Sequence, residues 1–120
     1  MNARVGFDWS AMPHTVEGFR RFLHFIEAEI ADFGPYCLDP HWGIQARISH
    51  PTVFRPTLTG RVEAMGDFYR DLADRLDRPL PADISLENRQ PDPAQNLAGD
   101  PEARALVERI YAEDFESFSY

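Results

Sequence analysis

The chain has 120 residues, of which 43% are hydrophobic and 12% aromatic, so its composition excludes a disordered protein. A chain of this length buries only roughly 65% of the surface that its unfolded form exposes, which limits it to one small domain with a thin core. Twenty acidic residues against twelve arginines, with no lysine, give a net charge of −8, which disfavours non-specific binding to nucleic acid or anionic lipid.

After an irregular lead-in over residues 1–13, apolar residues recur at helical spacing. Thr15 can cap a helix, and Glu17 lies in the first turn, where the helix dipole favours an acid. Gly34-Pro35 provides a stop signal. The sequence predicts a helix between these signals, with an apolar stripe of Phe19, Phe22, Leu23, Ile26, Ile30 and Phe33.

Four prolines between residues 35 and 56 exclude long regular structure there, although a short helix over Gly43–Ile48 fits the sequence. Leu58–Val62 is compatible with a short strand, in which Gly60 indicates close backbone approach. A second amphipathic helix follows and ends before Pro79. Its apolar stripe consists of Met65, Phe68, Tyr69, Leu72 and Leu76.

Residues 79–99 are rich in proline and polar side chains, and we interpret them as a long surface loop. Asp100 and Pro101 then start a third helix, with aspartate at the cap and proline in the first turn. Its buried stripe is predicted to consist of Ala103, Leu106, Val107, Ile110 and Tyr111. The aromatic residues of the tail, Phe115, Phe118 and Tyr120, need something to pack against.

This order of elements predicts a mostly α fold with one or two short strands. We find no internal repeat and no domain linker, so residues 1–120 are interpreted as a single partial domain. One strand cannot form a sheet, because its backbone groups need partners. The lone strand therefore indicates that part of a larger fold is missing.

The environment of the protein can also be inferred. The single cysteine, Cys37, excludes an internal disulfide and is typical of a reducing compartment. No apolar run approaches the ~20 residues that span a membrane, and residues 1–10 lack the pattern of a signal peptide. We expect a cytoplasmic, soluble protein with no membrane segment.

The sequence lacks the usual catalytic and nucleotide-binding motifs. Its four histidines have no HxxxH or HExxH spacing, and Pro40 separates Cys37 from His41, so no metal site is expected. The serines lack the glycine-flanked context of a nucleophile. There is no GxxxxGK(S/T) loop, no GxGxxG loop and no lysine to reach a phosphate.

One cluster of polar and aromatic residues lies between Pro40 and Val62, a window with three arginines, two histidines and no acid. An imidazole, an indole, an amide and a guanidinium occur close together there, and such groups can stack on a ring and hydrogen-bond sugar hydroxyls or sulfate oxygens. The alternative is that the indole belongs to the core and the polar groups satisfy loop backbone. The four residues are His41, Trp42, Gln45 and Arg47.

A second cluster lies where the predicted strand ends and the next helix begins, the place where α/β folds position functional side chains. It consists of Arg61, Glu63 and Asp67. The alternative is a structural ion pair of Arg61 with one of these acids.

Several short motifs follow one another along the chain. A phenylalanine-rich helix at 19–23 precedes His-Trp-x-x-Gln at 41–45 and Gly-Arg-Val-Glu-x-x-x-Asp-Phe at 60–68. After Asn88-Arg89, the chain ends in Tyr-x-x-Asp-Phe-x-x-Phe-x-Tyr at 111–120. In order and spacing, residues 16–120 resemble the C-terminal half of the carbohydrate-type sulfotransferases, a family that includes chondroitin sulfotransferases and bacterial relatives. That family commonly has glycine in place of Ser119.

The resemblance implies the C-terminal portion of an α/β fold related to P-loop kinases. The family transfers a sulfuryl group from 3′-phosphoadenylyl sulfate (PAPS) to a hydroxyl of a carbohydrate or similar acceptor. Its 5′-phosphosulfate loop and 3′-phosphate element are not visible in this sequence, and its base usually lies in the part that is not represented. Since sulfuryl transfer relies on positioning and on neutralising donor charge, we expect the chain alone to bind no PAPS and to be inactive.

The resemblance also implies roles for individual residues, none of them catalytic. The acceptor or nucleotide cleft would be lined by His41, Trp42, Gln45 and Arg47, with Asn88 and Arg89 closing over the nucleotide. Structural partners would be Arg61, Glu63, Asp67 and Asp114. The expected partners are the missing N-terminal half, a hydroxyl acceptor in the full-length protein, or a second copy of the chain.

Two alternatives remain at this stage. The first is a non-catalytic helical interaction module, whose phenylalanine-rich stripe and aromatic C-terminus would dock onto a partner or form a homodimer. The second is a small acidic enzyme that uses His41.

Overall fold

The computed structural model of the chain describes residues 7–80 and 97–119. Within these residues the structure is mostly helical, which confirms the mostly α part of the predicted fold class. Three short 3₁₀ turns occupy Pro35–Cys37, Val62–Ala64 and Leu97–Gly99. The α-helices are α1 (Val16–Phe33), α2 (Gln45–Ser49), α3 (Met65–Leu76), α4 (Pro101–Ile110) and α5 (Ala112–Phe118).

Helix α1 has the boundaries that its sequence signals predict. The Thr15 side chain accepts a hydrogen bond from the Gly18 amide at 3.0 Å and so caps the first turn. Gly34 follows the last residue with φ of 84°, a conformation that favours glycine, and its amide donates to the Ile30 carbonyl at 2.9 Å.

The core forms where α1 packs against α4, with the segment before α2 and α2 itself closing it. Ala103 is fully buried, and its small side chain allows the two helices to approach closely. Phe118 of α5 packs against this core, which gives one residue of the aromatic tail its contact. The buried apolar residues are Leu23, Ile26, Leu38, Ile44, Ala46, Ala103, Leu106 and Ile110.

Ion pairs flank the α1–α4 contact, and two of them are made by arginine–carboxylate hydrogen bonds. Arg20 donates to both carboxylate oxygens of Asp100, with Nε 2.9 Å from Oδ2, and Asp100 also caps α4 by accepting the Ala103 amide at 2.8 Å. Arg109 donates to Glu27 at 2.6 Å. The hydrogen bond from Arg20, followed by that from the Ala103 amide, lowers the pKa of Asp100 to about 2.

The described residues divide into two compact units, one formed by 7–51 and 97–119 and the other by 52–80. In the second unit, α3 contains no buried residue. Gly60 packs against the ring of Phe68, since a Cβ added at Gly60 would lie 2.4 Å from Cδ2 of that ring. The close approach predicted at Gly60 is therefore made with a side chain of α3 rather than with another backbone.

The predicted strand over Leu58–Val62 is wrong. No strand occurs in residues 7–80 or 97–119; Arg61 has an extended backbone, and Val62–Ala64 turns directly into α3. A strand forms only where a neighbouring strand makes hydrogen bonds with its amide and carbonyl groups. The described residues contain no such neighbour for 58–62. Val62 is accordingly 79% exposed.

The predicted long loop at 79–99 lies mostly outside the described residues, and its final residues form the 3₁₀ turn before α4. The interpretation of residues 1–120 as a single partial domain stays a prediction. None of the described helices is long and apolar enough to cross a membrane.

Candidate functional site

His41 and Trp42 of the first polar cluster lie in the connection between α1 and α2, and Gln45 and Arg47 lie in α2 itself. The connection is anchored by two buried apolar residues, Leu38 and Ile44. Between these anchors the chain makes a tight turn. The side chain of Asp39 accepts a hydrogen bond from the backbone amide of His41 at 2.9 Å. The Asp39 carbonyl accepts the amide of Trp42 at 3.1 Å. The turn places His41 at its tip and directs Trp42 back towards α1.

The imidazole of His41 is held by Asp39 and open to solvent. Its Nδ1 lies 2.6 Å from Oδ1 of Asp39, and the side chain is 87% exposed. A carboxylate only accepts hydrogen bonds, so Nδ1 carries the hydrogen, and Nε2 of the neutral ring is left as an acceptor. The pair can therefore orient a ring nitrogen towards a hydroxyl group brought from outside.

Trp42 belongs to a cluster of aromatic rings on α1. Its ring centroid is 5.5 Å from that of Phe22, 6.4 Å from that of Phe25 and 5.9 Å from that of Trp9. The indole nitrogen lies 3.5 Å from the buried carboxylate of Glu29, at the limit of a hydrogen bond. Trp42 is thus half-buried and packs against the core, which agrees with the alternative that its indole is part of the core. It also supports the turn that carries His41.

Tyr111, which lies between α4 and α5, and Asp114 of α5 form hydrogen bonds with this segment. The Tyr111 hydroxyl donates to the Trp42 carbonyl at 2.8 Å. The Asp114 carboxylate accepts the amide of Gln45 at 3.0 Å and that of Ala46 at 2.6 Å. Burial, followed by the charge of Asp114, raises the pKa of Tyr111, which keeps its hydroxyl protonated as a donor.

Asp114 supplies α2 with the cap that its own sequence lacks. The residue at the N-cap position is Ile44, which has no side-chain oxygen to accept the first amides of the helix. A carboxylate from α5 fills this role across 69 and 68 residues of chain. The helix therefore depends on the C-terminal motif for its first turn.

The two remaining side chains of the cluster, those of Arg47 and Gln45, form hydrogen bonds within the protein. The Nε of Arg47 donates to Glu113 at 2.7 Å, and its guanidinium lies 4.7 Å from the ring centroid of Tyr36. The exposed Gln45 side chain donates a 3.4 Å hydrogen bond to the Gly43 carbonyl. Of the four predicted cleft residues, His41 and Gln45 are the ones displayed to solvent, whereas Arg47 is held in an ion pair.

The second predicted cluster lies in the other unit. Arg61 and Glu63 are at the turn before α3, and both are exposed. Asp67, in the first turn of α3, forms an ion pair with Arg70 one turn later. Asn88 and Arg89 lie outside the described residues.

Two residues of this region were not predicted as functional. Trp9 was assigned to an irregular lead-in, yet its ring contacts Trp42 and Phe22. Glu29 gives no distinct sequence signal, because Glu27 and Asp32 lie close to it in the same helix. Its carboxylate accepts the 3.5 Å hydrogen bond from the Trp42 indole, a contact between residues 13 positions apart. In the part of the chain that the structure covers, no three His, Cys, Asp or Glu residues lie close enough together to hold a metal ion.

No protein-family model, curated protein or solved structure matches the chain. The arrangement of the site must therefore be interpreted from its own chemistry. It offers an oriented imidazole acceptor beside an indole, on a turn fixed by Tyr111 and Asp114. Such a surface is suited to a ligand that carries hydroxyl groups and an apolar face.

Proposed function

We propose that the chain is the C-terminal, acceptor-side part of a PAPS-dependent sulfotransferase of the carbohydrate type. In this proposal its helices are the corresponding portion of an α/β sulfotransferase fold. One observation carries the proposal: Tyr111 and Asp114 hydrogen-bond the segment from Trp42 to Ala46. The His-Trp-x-x-Gln and Tyr-x-x-Asp motifs are thereby joined into one unit, as expected if both serve the same site.

The chemistry would be the attack of an acceptor hydroxyl on the sulfur of PAPS. A new S–O bond forms to the acceptor, the S–O bond to the 5′-phosphate breaks, and 3′-phosphoadenosine 5′-phosphate (PAP) leaves. The proton of the acceptor hydroxyl passes to a base that the proposal places in the upstream half. In the proposed site, Nε2 of His41 accepts a hydrogen bond from a hydroxyl of the acceptor, and an apolar sugar face rests beside Trp42. These roles bind and orient the acceptor.

The donor side would come from elsewhere. The sequence contains no lysine and no glycine-rich phosphate loop, and Arg47 is paired with Glu113. Stabilisation of the charge on the donor is the main requirement of this class of reaction. The chain alone is therefore proposed to lack catalytic activity.

Calorimetric titration with PAP tests the proposal on two proteins. The first is this chain, and the second is the product of the reading frame extended upstream of Met1. We expect no binding heat for the chain and saturable binding for the extended protein. Saturable PAP binding by the chain alone contradicts the missing donor site, and failure of the extended protein to bind PAP contradicts the assignment as a whole.

The acceptor side is tested by transfer from radiolabelled PAPS in the extended protein, with desulfated chondroitin as acceptor. We expect His41→Ala to reduce transfer and leave PAP affinity unchanged. The matched control is His50→Ala, since His50 is an exposed histidine of the same acid-free window. Equal effects of the two substitutions would count against a role for His41.

A second candidate function is a non-catalytic interaction module, and the surface of the second unit favours it. Val53, Phe54 and Val62 are 71%, 73% and 79% exposed, and Leu76 of α3 is 59% exposed. Apolar side chains displayed in this way mark a surface that another polypeptide covers. Sedimentation velocity separates the two candidates, because a discrete dimer with cooperative melting favours the module, whereas a monomer that associates only with the upstream half favours the sulfotransferase.

A further inference from the structure

A groove lined by aromatic rings lies between the lead-in and the start of α1. It has a volume of about 410 Å³, within the range of small-molecule sites. The lead-in folds back across the first turn of the helix and forms one wall, while α1 forms the other. The side chains that carry the argument are Phe7, Trp9, Met12, Phe19 and Phe22.

The lead-in is held in place by specific contacts. The Thr15 hydroxyl donates to the Met12 carbonyl at 2.8 Å, and the Met12 carbonyl lies so close to Gly18 that an added Cβ would be 2.0 Å from its oxygen. Met12 and His14 both have left-handed backbones, with φ of 54° and 59°. Such conformations are unfavourable for residues with side chains, so surrounding contacts must fix them.

The rings in the groove adopt the geometry of aromatic pairs. Phe7 and Trp9 are edge-to-face with centroids 5.0 Å apart, and Trp9 and Phe22 are tilted at 5.2 Å. Trp9 nevertheless remains 60% exposed, and Met12 is 53% exposed. A large indole surface is therefore presented at an aromatic-lined opening, which is where a further ring would gain the same pairing.

The polar groups around the groove favour an uncharged ligand. Among the described residues that line it, the one titratable side chain is that of His14, which is exposed. The Thr15 hydroxyl is already bonded to Met12 and Gly18. The guanidinium of Arg21, 5.8 Å from the Phe7 ring centroid, interacts electrostatically with Asp8. Within residues 7–80 and 97–119, no uncompensated charge therefore lines the groove to select an ion.

We propose that this groove binds the aryl group of a small uncharged molecule, with Trp9 as the principal contact. The proposal goes beyond the sulfotransferase assignment and does not depend on it, because it rests on the groove alone. Since the Trp9 and Trp42 rings are 5.9 Å apart, a ring bound at Trp9 also changes the surroundings of Trp42.

The two tryptophans of the chain give a direct measurement. Their indole N–H signals are followed in ¹⁵N–¹H spectra of the full chain during titration with benzyl alcohol, and Trp9→Phe assigns them. We expect saturable shifts of both signals and weaker binding of cyclohexylmethanol, a saturated probe of similar size. Absence of saturable shifts with benzyl alcohol, or equal binding of the two alcohols, overturns the proposal.

Substitution of Trp9 provides the second arm, with Trp42 as the reporter. We expect Trp9→Ala to weaken benzyl alcohol binding roughly fivefold and Trp9→Phe to weaken it less, because a ring pair is lost in the first variant and kept in the second. The control is Phe54→Ala, which removes an exposed ring from the other unit and should leave the affinity unchanged. Unchanged affinity in Trp9→Ala, with the core methyl signals of the wild type, also overturns the proposal.

Discussion

The hydroxyl of Tyr111 donates a 2.8 Å hydrogen bond to the backbone carbonyl of Trp42, 69 residues earlier in the chain. This bond provides the Trp42 carbonyl with a donor. Among the described residues of the turn, no backbone amide donates to that carbonyl. It joins the C-terminal helices to the connection that displays His41. The stability of that turn should therefore depend on one phenolic oxygen.

Tyr111→Phe tests this dependence. The substitution keeps the ring and leaves the Trp42 carbonyl without its donor, so we expect a loss of about 1–2 kcal/mol in the free energy of unfolding. Urea denaturation followed by circular dichroism measures it. Tyr36→Phe is the control, because Tyr36 is 76% exposed and its ring contact with Arg47 is kept; an equal loss in both variants would contradict the role of Tyr111.

Asp114→Ala should remove the cap of α2. Two backbone amides, those of Gln45 and Ala46, lose their acceptor, and we expect destabilisation by about 1–2 kcal/mol. Asp114→Asn keeps one acceptor oxygen and should cost less. Chemical denaturation provides the comparison, with Glu116→Gln as a control on the exposed side of α5. If Asp114→Ala and Glu116→Gln are indistinguishable, the cap contributes nothing to stability.

The Arg20–Asp100 pair should make stability depend on pH in the acid range. The folded-state pKa of Asp100 is about 2, below its ordinary value of 3.8. The stabilisation is therefore fully present above about pH 4 and is lost as the pH falls towards 2. Measured from pH 6 downwards, the stability difference between wild type and Asp100→Asn should be constant at first and shrink below about pH 4. A difference that does not change down to pH 2 would contradict the coupling.

Gly18→Ala should detach the lead-in from α1. A Cβ at this position would lie 2.0 Å from the Met12 carbonyl oxygen, so that backbone must move away. We expect the fluorescence emission of Trp9 to shift to the red, with some loss of stability. Gly66→Ala is the matched control, since a Cβ there meets nothing within 4 Å and alanine is the better helix former. An emission spectrum that stays unchanged in Gly18→Ala would show that the lead-in does not rest on the helix.

Local signals predicted the main helices well. Thr15 and Asp100 both cap the helices assigned to them, and Gly34 ends α1. Each of these signals acts within a few residues, through hydrogen bonds to the nearest backbone amides or through the backbone freedom of glycine. For that reason they could be predicted without tertiary structure.

The strand assigned to Leu58–Val62 failed for the opposite reason. Its residue types favour an extended backbone, and Arg61 is extended, but a strand is defined by a neighbour. Gly60 likewise signalled a close approach without identifying its partner, which is the ring of Phe68. Sequence patterns indicate that a contact is needed, whereas only the fold supplies it.

The sequence by itself determined the helical class, the caps of α1 and α4, and the two motifs around His41 and Tyr111. Only the tertiary structure decided that Tyr111 and Asp114 hold the turn carrying His41, that Arg47 is paired with Glu113, and that Trp9 joins the cluster around Trp42. The first set follows from interactions between neighbours along the chain. The second set joins residues 33 to 69 positions apart, and such contacts form only once the helices have packed.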